Sequence, residues 1–455
     1  MLSSTPTALS DANILAAYAI FGASYLVFAI GKFPGLKIDR PAAAIIGAVG
    51  MVAFRLVPPR DALRLIDFPT IVLLFSMMLI VGSLHQAGFF EWTTEAVLKH
   101  LRPSAFLPAV IFTSGILSAF LVNDIVCLVI VPFVLVLTKR MRLQPLPFLL
   151  AVATASNIGS VATITGNPQN MLIGSYSHIH YRDFLVHLGP VAILGLLFDW
   201  LVLHLLFRRE IGVAVSEEHF PLFPIQLANV WKPVLVVAAV VAGFLLGVPP
   251  AFASALGAAV LLISRTTDAH KLYGEVDWGL LVFFIGLFLI VGGAENAGIL
   301  NQFMVAARYL NLHQPAAFTL VTTVLSNLVS NVPAVMLLKS FVPSFPNPHI
   351  AWLLLAMAST LSGNLTITGS VANIIVVETA KPEMHIGFRQ YFRAGLPVTA
   401  GTLLIGWAWL RLFPERQPPV TFGRCPCGSF LTRPIPASDT PPSYRWSPIA
   451  HLRLF

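Results

Sequence analysis

Apolar runs close to the length of a bilayer-crossing helix recur from residue 14 to residue 412, and they fix the class of fold open to this chain. A hydrocarbon core takes a helix of about 20 apolar residues. The runs lie near 14–31, 41–57, 67–86, 147–176, 187–207, 231–247, 250–264, 278–297, 350–380 and 394–412. They are continuously apolar rather than alternating, which excludes a β-barrel. Only 11% of the 455 residues are charged, too few to cover a water-facing surface. The expected fold class is therefore an all-α polytopic membrane protein. The first run follows a polar segment with no basic flank or cleavage site, so it reads as a retained span.

Two more runs, 103–138 and 315–343, are broken by polar residues at Asn123-Asp124 and at Ser330-Asn331-Val332-Pro333. Their halves are short, which predicts two re-entrant hairpins beside about ten transmembrane helices. Non-helical backbone at that depth is tolerated where protein or a wet cavity covers it. With the N-terminus outside, sixteen Lys and Arg residues fall inside, Lys32, Lys99, Arg102 and Arg265 among them. Six fall outside, as the positive-inside rule asks. This accounts for the net charge of +8 without an acidic partner, and no nucleic-acid partner is expected.

The chain also repeats itself. Ser156–Ile173 and Ser359–Val376 each carry Thr-Ile-Thr-Gly, at Thr163–Gly166 and Thr366–Gly369, followed by Asn170 and Asn373. Asp67–Gly88 aligns with Asp277–Gly298 at eight of 22 positions, Leu117-Ser118 with Leu325-Ser326, and Asn123 with Asn331. Five crossings separate equivalent points, an odd number, so the second copy is expected upside down: an inverted-topology repeat. The expected organisation is a first repeat over 12–207, a cytoplasmic linker over 208–230, a second repeat over 231–413 and a disordered tail over 414–455. The tail is rich in Pro, Arg and Ser and has no helical period.

Paired polar, Gly-broken segments in corresponding halves mark the binding site of a secondary transporter. Glycines at Gly159, Gly166, Gly363 and Gly369, with Pro168 and Pro333, loosen the helical ladder and free backbone groups for an anion, Na⁺ or a polar ligand. Side-chain oxygens and amides come from Asn123, Ser156, Asn157, Thr163, Thr165, Asn167 and Asn170 in the first copy. Ser330, Asn331, Ser362, Asn364, Thr366, Thr368, Ser370 and Asn373 supply them in the second. Asp124, at a hairpin tip, is an ionisable group at membrane depth and so a candidate to carry a proton or ligate Na⁺. Glu295 and Glu378 fall at span ends and read as interfacial, and Lys339 as a snorkelling lysine.

Cys127 sits in an apolar run as a small packing residue, and Cys425 with Cys427 is too little for a metal site. No HExxH, Walker loop or nucleophile elbow is present, so hydrolytic and nucleotide chemistry have no motif here.

Four segments together resemble the ion transporter superfamily: Phe120 to Asp124 leading to Pro132; Asn157-Ile158-Gly159 with Gly166 to Asn170; Leu325 to Pro333; and Gly363 to Ser370. That superfamily includes arsenite efflux permeases, citrate-transporter-like proteins, the melanosomal P-protein and the divalent-anion/sodium symporters. The resemblance covers about residues 12–413. It implies a scaffold, a moving transport domain, an elevator-type motion and a homodimer. The symporters carry Ser-Asn-Thr at both tips, whereas Val122-Asn123-Asp124 here is more similar to the arsenite permease and P-protein branch. Gln169 departs from the second proline frequent in relatives.

The expectation is a secondary active transporter, not an enzyme, in the plasma membrane of a bacterium. Its cargo would be a small anion: arsenite, another inorganic oxyanion, or a di- or tricarboxylate. No resident cofactor is expected; the coupling ion is H⁺ or Na⁺. The alternatives are a Na⁺/H⁺ antiporter on the same fold, with Asp124 as the exchanging carboxylate, and an intramembrane enzyme.

Overall fold

The apolar runs form helices, and every regular element among the described residues is one. The structure, a computed structural model, describes residues 10–31, 37–90, 92–93, 105–211, 227–263, 269–309 and 311–413. The tail after Phe413, most of the expected linker, and Lys32, Lys99, Arg102 and Arg265 lie outside these residues.

The first half runs α1 (Asp11–Ile30), α2 (Arg40–Ala53), α3 (Pro59–Leu65), α4 (Phe68–Gln86), α5 (Phe106–Phe120), α6 (Asn123–Arg140), α7 (Leu146–Ser160), α8 (Pro168–Ser177) and α9 (Tyr181–Phe207). The second half runs α10 (Leu227–Leu245), α11 (Pro250–Leu262), α12 (Ala269–Gly274), α13 (Trp278–Asn296), α14 (Ile299–Tyr309), α15 (Pro315–Val329), α16 (Asn331–Leu338), α17 (Pro348–Leu361), α18 (Val371–Ala380) and α19 (Phe388–Leu412). By length and composition α1, α4, α9 and α13 can each cross a membrane alone. α9 starts at Tyr181, six residues before the run near 187–207, because polar Arg182 and Asp183 fill its first turn without breaking its hydrogen bonds. Exposed Leu15, Ile46, Leu235, Leu256 and Leu404 give the outer helices an apolar surface suited to lipid.

Caps set where helices begin. The Asp39 carboxylate accepts from Ala42 N at 3.0 Å at the start of α2, and Asp277 accepts from Leu280 N at 2.9 Å at the start of α13. α2 packs on α13, and α4 on α11, while α5, α6, α7, α9 and α15 to α19 pack around the two polar breaks. α5 and α7 approach so closely that a Cβ on Gly159 would collide with the backbone of Gly115.

Both polar-tipped runs divide into two packed helices. α5 gives way to α6 at Leu121-Val122, with Val122 at φ −57°. α15 gives way to α16 at Ser330, whose φ of 76° and ψ of 159° is a backbone region that L-residues rarely adopt.

Candidate functional site

Each duplicated Thr-Ile-Thr-Gly segment is a break between two helices, and one asparagine holds each break. In the first, α7 ends at Ser160, α8 begins at Pro168, and Asn170 Nδ2 donates to the Ser160 and Thr163 carbonyls, both at 3.0 Å. In the second, two 3-10 turns, Ser362–Leu365 and Ile367–Gly369, separate α17 from α18. There Asn373 Nδ2 donates to the Gly363 carbonyl at 2.6 Å and the Thr366 carbonyl at 3.0 Å. The same aligned asparagine thus donates to the same aligned carbonyls, which lose their regular helical partners at the break; the Gly166 and Gly369 N–H groups also reach the Thr163 and Thr366 carbonyls, at 3.4 and 3.1 Å.

The tips of the polar-tipped runs brace the breaks. The Asn123 N–H donates to the Gly166 carbonyl at 3.0 Å, and the Asn331 amide nitrogen faces the Gly369 carbonyl at 3.1 Å. Thr163 Oγ1 donates to the Ala119 carbonyl, and Thr366 Oγ1 donates to Asn327 Oδ1 at 3.2 Å.

Across the centre the breaks are joined to each other. Asn157 Nδ2 donates to Asn364 Oδ1 and Asn373 Oδ1, both at 2.9 Å, while its Oδ1 accepts from Ser370 Oγ at 3.0 Å and Asn123 Nδ2 at 3.1 Å. Thr360, aligned with Asn157, repeats the pattern: its Oγ1 donates to Asn170 Oδ1 at 3.4 Å and accepts from Asn167 Nδ2 at 3.3 Å. Gln169 Nε2 reaches Thr360 Oγ1 and the Asn331 amide oxygen, both at 3.2 Å. A buried polar network of this kind is rigid only when its members are satisfied, and here nearly all are.

A cavity of about 730 Å³ opens onto one face of this network. Asn123, Asp124, Pro168, Gln169, Ser330, Asn331, Thr368 and Ser370 line it, with Asp39, Arg40, Asp277 and Glu378. Asn157, Asn167, Asn170, Asn364 and Asn373 lie buried behind that lining. Other expected site residues are brought to the breaks but turned elsewhere. Thr165 Oγ1 pairs with the Tyr181 hydroxyl at 2.9 Å, and Ser156 Oγ accepts from Cys127 Sγ at 2.9 Å. Ser362 Oγ donates to the Ser359 carbonyl at 3.0 Å, and the Pro333 carbonyl accepts from the Tyr25 hydroxyl at 3.3 Å. Gly159 and Gly166 serve close backbone approach rather than the cavity.

Glu378, read from sequence as interfacial, is exposed, pairs with Lys381 Nζ at 3.3 Å and borders the cavity. Lys339 places its ammonium 3.8 Å from the centre of the Tyr176 ring. Sequence reasoning missed Thr360, Gln169, Asn327 and Asp277; alignment of Thr360 with Asn157 was the available signal for the first.

Asp277 and its aligned partner Asp67 differ. Asp67 accepts from Thr70 Oγ1 at 2.6 Å and from Ser175 Oγ at 3.0 Å, tying the start of α4 to the end of α8. Asp277 faces the cavity. Among the described residues no cluster of three or more His, Cys, Asp or Glu side chains has the form of a metal site.

Known proteins share this chain's sequence and fold. An uncharacterized transporter of Mycobacterium tuberculosis is 30% identical, aligned over 87% of this chain and 98% of its own length. A putative transporter arsB of Dictyostelium discoideum is 27% identical over 82% of this chain and 87% of its own. The silicon efflux transporter LSI3 of Oryza sativa subsp. japonica is 29% identical over 85% and 95%. The crystal structure of the Alcanivorax borkumensis YdaH transporter superposes with a TM-score of 0.53 at 14% identity, covering 88% of this chain and 97% of that one. The family model described as citrate transporter matches residues 25–360, most of the chain, and so this polytopic membrane protein belongs to the citrate transporter family.

Proposed function

We propose that the protein is a secondary active transporter of a small, hydroxyl-rich oxyacid, carried through the Asn157-centred site in exchange for or together with H⁺. The observation that carries this reading is the wall of the cavity. It offers amides and hydroxyls from Asn123, Gln169, Ser330, Asn331, Thr368 and Ser370, but sets three carboxylates, Asp39, Asp124 and Asp277, against the single guanidinium of Arg40, while Glu378 at the rim pairs with Lys381 at 3.3 Å. Arg40 Nε already donates to the Phe28 carbonyl at 3.1 Å.

A fully ionised di- or tricarboxylate meets repulsion in such a cavity, on the order of 3 kcal/mol per like pair at 6 Å and an effective dielectric of 20. An undissociated oxyacid such as arsenous or silicic acid meets none, and its hydroxyls match the amides. A carboxylate enters on the same terms once protonated or paired with a cation. The names of the relatives, an arsB-type transporter and a silicon efflux transporter, agree with this preference.

In this reading α5–α9 and α15–α19 form a transport domain with two re-entrant hairpins. The rest forms a scaffold in an inverted repeat, and the domain moves against it as an elevator within a homodimer in the plasma membrane. Asp124, which lines the cavity, exchanges H⁺ or Na⁺ with the solute in this reading.

Proteoliposomes holding the full chain test the reading. Arsenite, silicic acid and citrate are offered separately under an imposed pH gradient or an imposed Na⁺ gradient. The expected result is pH-driven accumulation of an uncharged oxyacid, lost in Asn157→Ala. Proton movement driven by Na⁺ with no solute present would replace this reading with the antiporter.

A further inference from the structure

Asp199 is a carboxyl group with no part in the site described above. It lies deep in the 27-residue α9 and is fully buried. One of its oxygens, Oδ2, is 2.9 Å from Thr154 Oγ1; no donor among the described residues reaches the other. Thr154 stands one helical turn before Asn157 on α7, and its carbonyl accepts from Asn364 Nδ2 at 3.3 Å. Asn364 is itself the partner of Asn157. The carboxyl is therefore two residues from the centre of the network.

The hydrogen bonds around Thr154 determine the form of the acid. Thr154 Oγ1 is 2.9 Å from the Leu150 carbonyl and 2.9 Å from Asp199 Oδ2, and a hydroxyl has one proton to give. An ionised Asp199 would take that proton, leave its second oxygen bare and bury a charge with a single neutral partner. A neutral Asp199 donates its own O–H to Thr154 Oγ1, and Thr154 donates onward to Leu150. The second arrangement alone completes the chain without burying an unpaired charge.

Among the described residues no cation is at hand to compensate. α5 and α7, which pack against α9, contain no titratable residue. α17 offers only His349, whose ring packs on His187 of α9 about 18 Å along the helix from Asp199 at 1.5 Å per residue. α10 offers only Lys232, which donates to the Ile263 carbonyl. From α19 come Arg389, Arg393 and Arg411 near its ends and Tyr391, whose buried hydroxyl lies within electrostatic reach of Asp199 and has no partner among the described residues.

The second half of the chain shows that packing does not require the acid. Aligning Pro190-Val191 with Pro397-Val398 and Trp200 with Trp407 sets Gly406 at the place of Asp199. The spacing of Asn170 and Asn373 sets Met357 at the place of Thr154. Met357 sulfur rests directly against Gly406. The same helix contact is thus made without polar atoms in one half and with a hydroxyl and a carboxyl in the other.

The geometry points to Asp199, held by Thr154, as a proton-binding site linked through Asn364 to the Asn157 centre, and as a second group, besides Asp124, that carries a proton through the transport cycle. It rests on the proposed proton-coupled transport for its role, but its proton can be read without any transport. Asp199→Asn retains the size and the donor of the neutral acid and is expected to fold with wild-type thermal stability; Asp199→Glu keeps an acid in place.

The full chain in proteoliposomes is examined by infrared difference spectroscopy and by flux. A protonated-carboxyl C=O band is expected in the wild type near neutral pH, absent in Asp199→Asn and shifted in Thr154→Val. Asp199→Asn is expected to lose pH-driven accumulation at least tenfold while still exchanging solute at equal pH on both sides; Asp199→Glu restores part of the drive. A spectrum unchanged by Asp199→Asn, or wild-type pH drive in that variant, overturns the assignment. A wild type that moves no solute but keeps the band overturns the transport reading instead and leaves the proton site standing.

Discussion

Asp67 and Asp277 occupy aligned positions at the starts of α4 and α13, yet they live in opposite surroundings. Asp67 is bonded to Thr70 and Ser175 and helps cover its end of the seam between α4 and α8. Asp277 caps its own helix and looks into a cavity of about 730 Å³. The breaks differ in the same sense. Every residue from Leu146 to Ile173 is buried, whereas Thr366 and Ile367 are half-buried and Thr368 is exposed. The hydrogen bonds inside the two breaks match almost atom for atom. What differs is access, and two like halves with unlike access are what a carrier holds when its site faces one side.

The strongest way to break this comparison is to fix the covered side shut. Cysteines at Asp67 and Ser175, in a background with Cys425 and Cys427 replaced by Ser, are bridged by a short bifunctional thiol reagent with a cleavable disulfide. Transport is expected to fall to the level of empty liposomes and to return on reduction. In the bridged protein Thr368→Cys remains open to a water-soluble maleimide and Thr165→Cys remains protected. Undiminished flux through the bridged protein would mean that the seam at Asp67 does not open during transport.

Next in size are the two asparagines that hold the breaks. If the halves bear equal loads, Asn170→Ala and Asn373→Ala each remove two hydrogen bonds to carbonyls of the break and cost about 2 kcal/mol. Chemical denaturation in detergent measures this, and the double variant should exceed either single one. A loss confined to Asn170 would show that the exposed second break is held by something other than Asn373.

The sequence displayed the breaks because both copies solve one backbone problem with one residue. A helix interrupted twice needs a donor for its stranded carbonyls twice, and the repeat Thr-Ile-Thr-Gly with Asn170 and Asn373 is that need written out. Thr163 and Thr165 belong to the repeat and were expected at the site, but they hold the loop to Ala119 and Tyr181. Repetition marks shared architecture, and it does not separate a lining residue from a brace. Thr360 was missed for the converse reason: its counterpart, Asn157, is a different residue, so only the alignment of the two positions pointed to it; Gln169, opposite Ala372, stood out as a departure from relatives but not as part of the site. Asp199 was hidden in a continuous apolar run, where one carboxylate barely alters the hydrophobic pattern and its single partner lies 45 residues away.

The smallest effect concerns the tips, where the halves diverge in backbone as well as access. Ser330 holds φ at 76° and lines the cavity; Val122, aligned with it, has φ of −57° and is 1% exposed. Ser330→Gly removes a strain of about 1–3 kcal/mol against an entropy cost of about 1 kcal/mol, so stability should rise by about 1 kcal/mol. Val122→Gly removes a buried side chain from an ordinary conformation and should lower stability by about 2 kcal/mol. Thermal unfolding in detergent reads both signs. Strain kept at a cavity wall is functional when its relief costs activity, so the Ser330→Gly protein should be more stable yet slower in flux. A variant that is more stable and equally fast would reduce Ser330 to a structural turn and leave access alone as the difference between the halves.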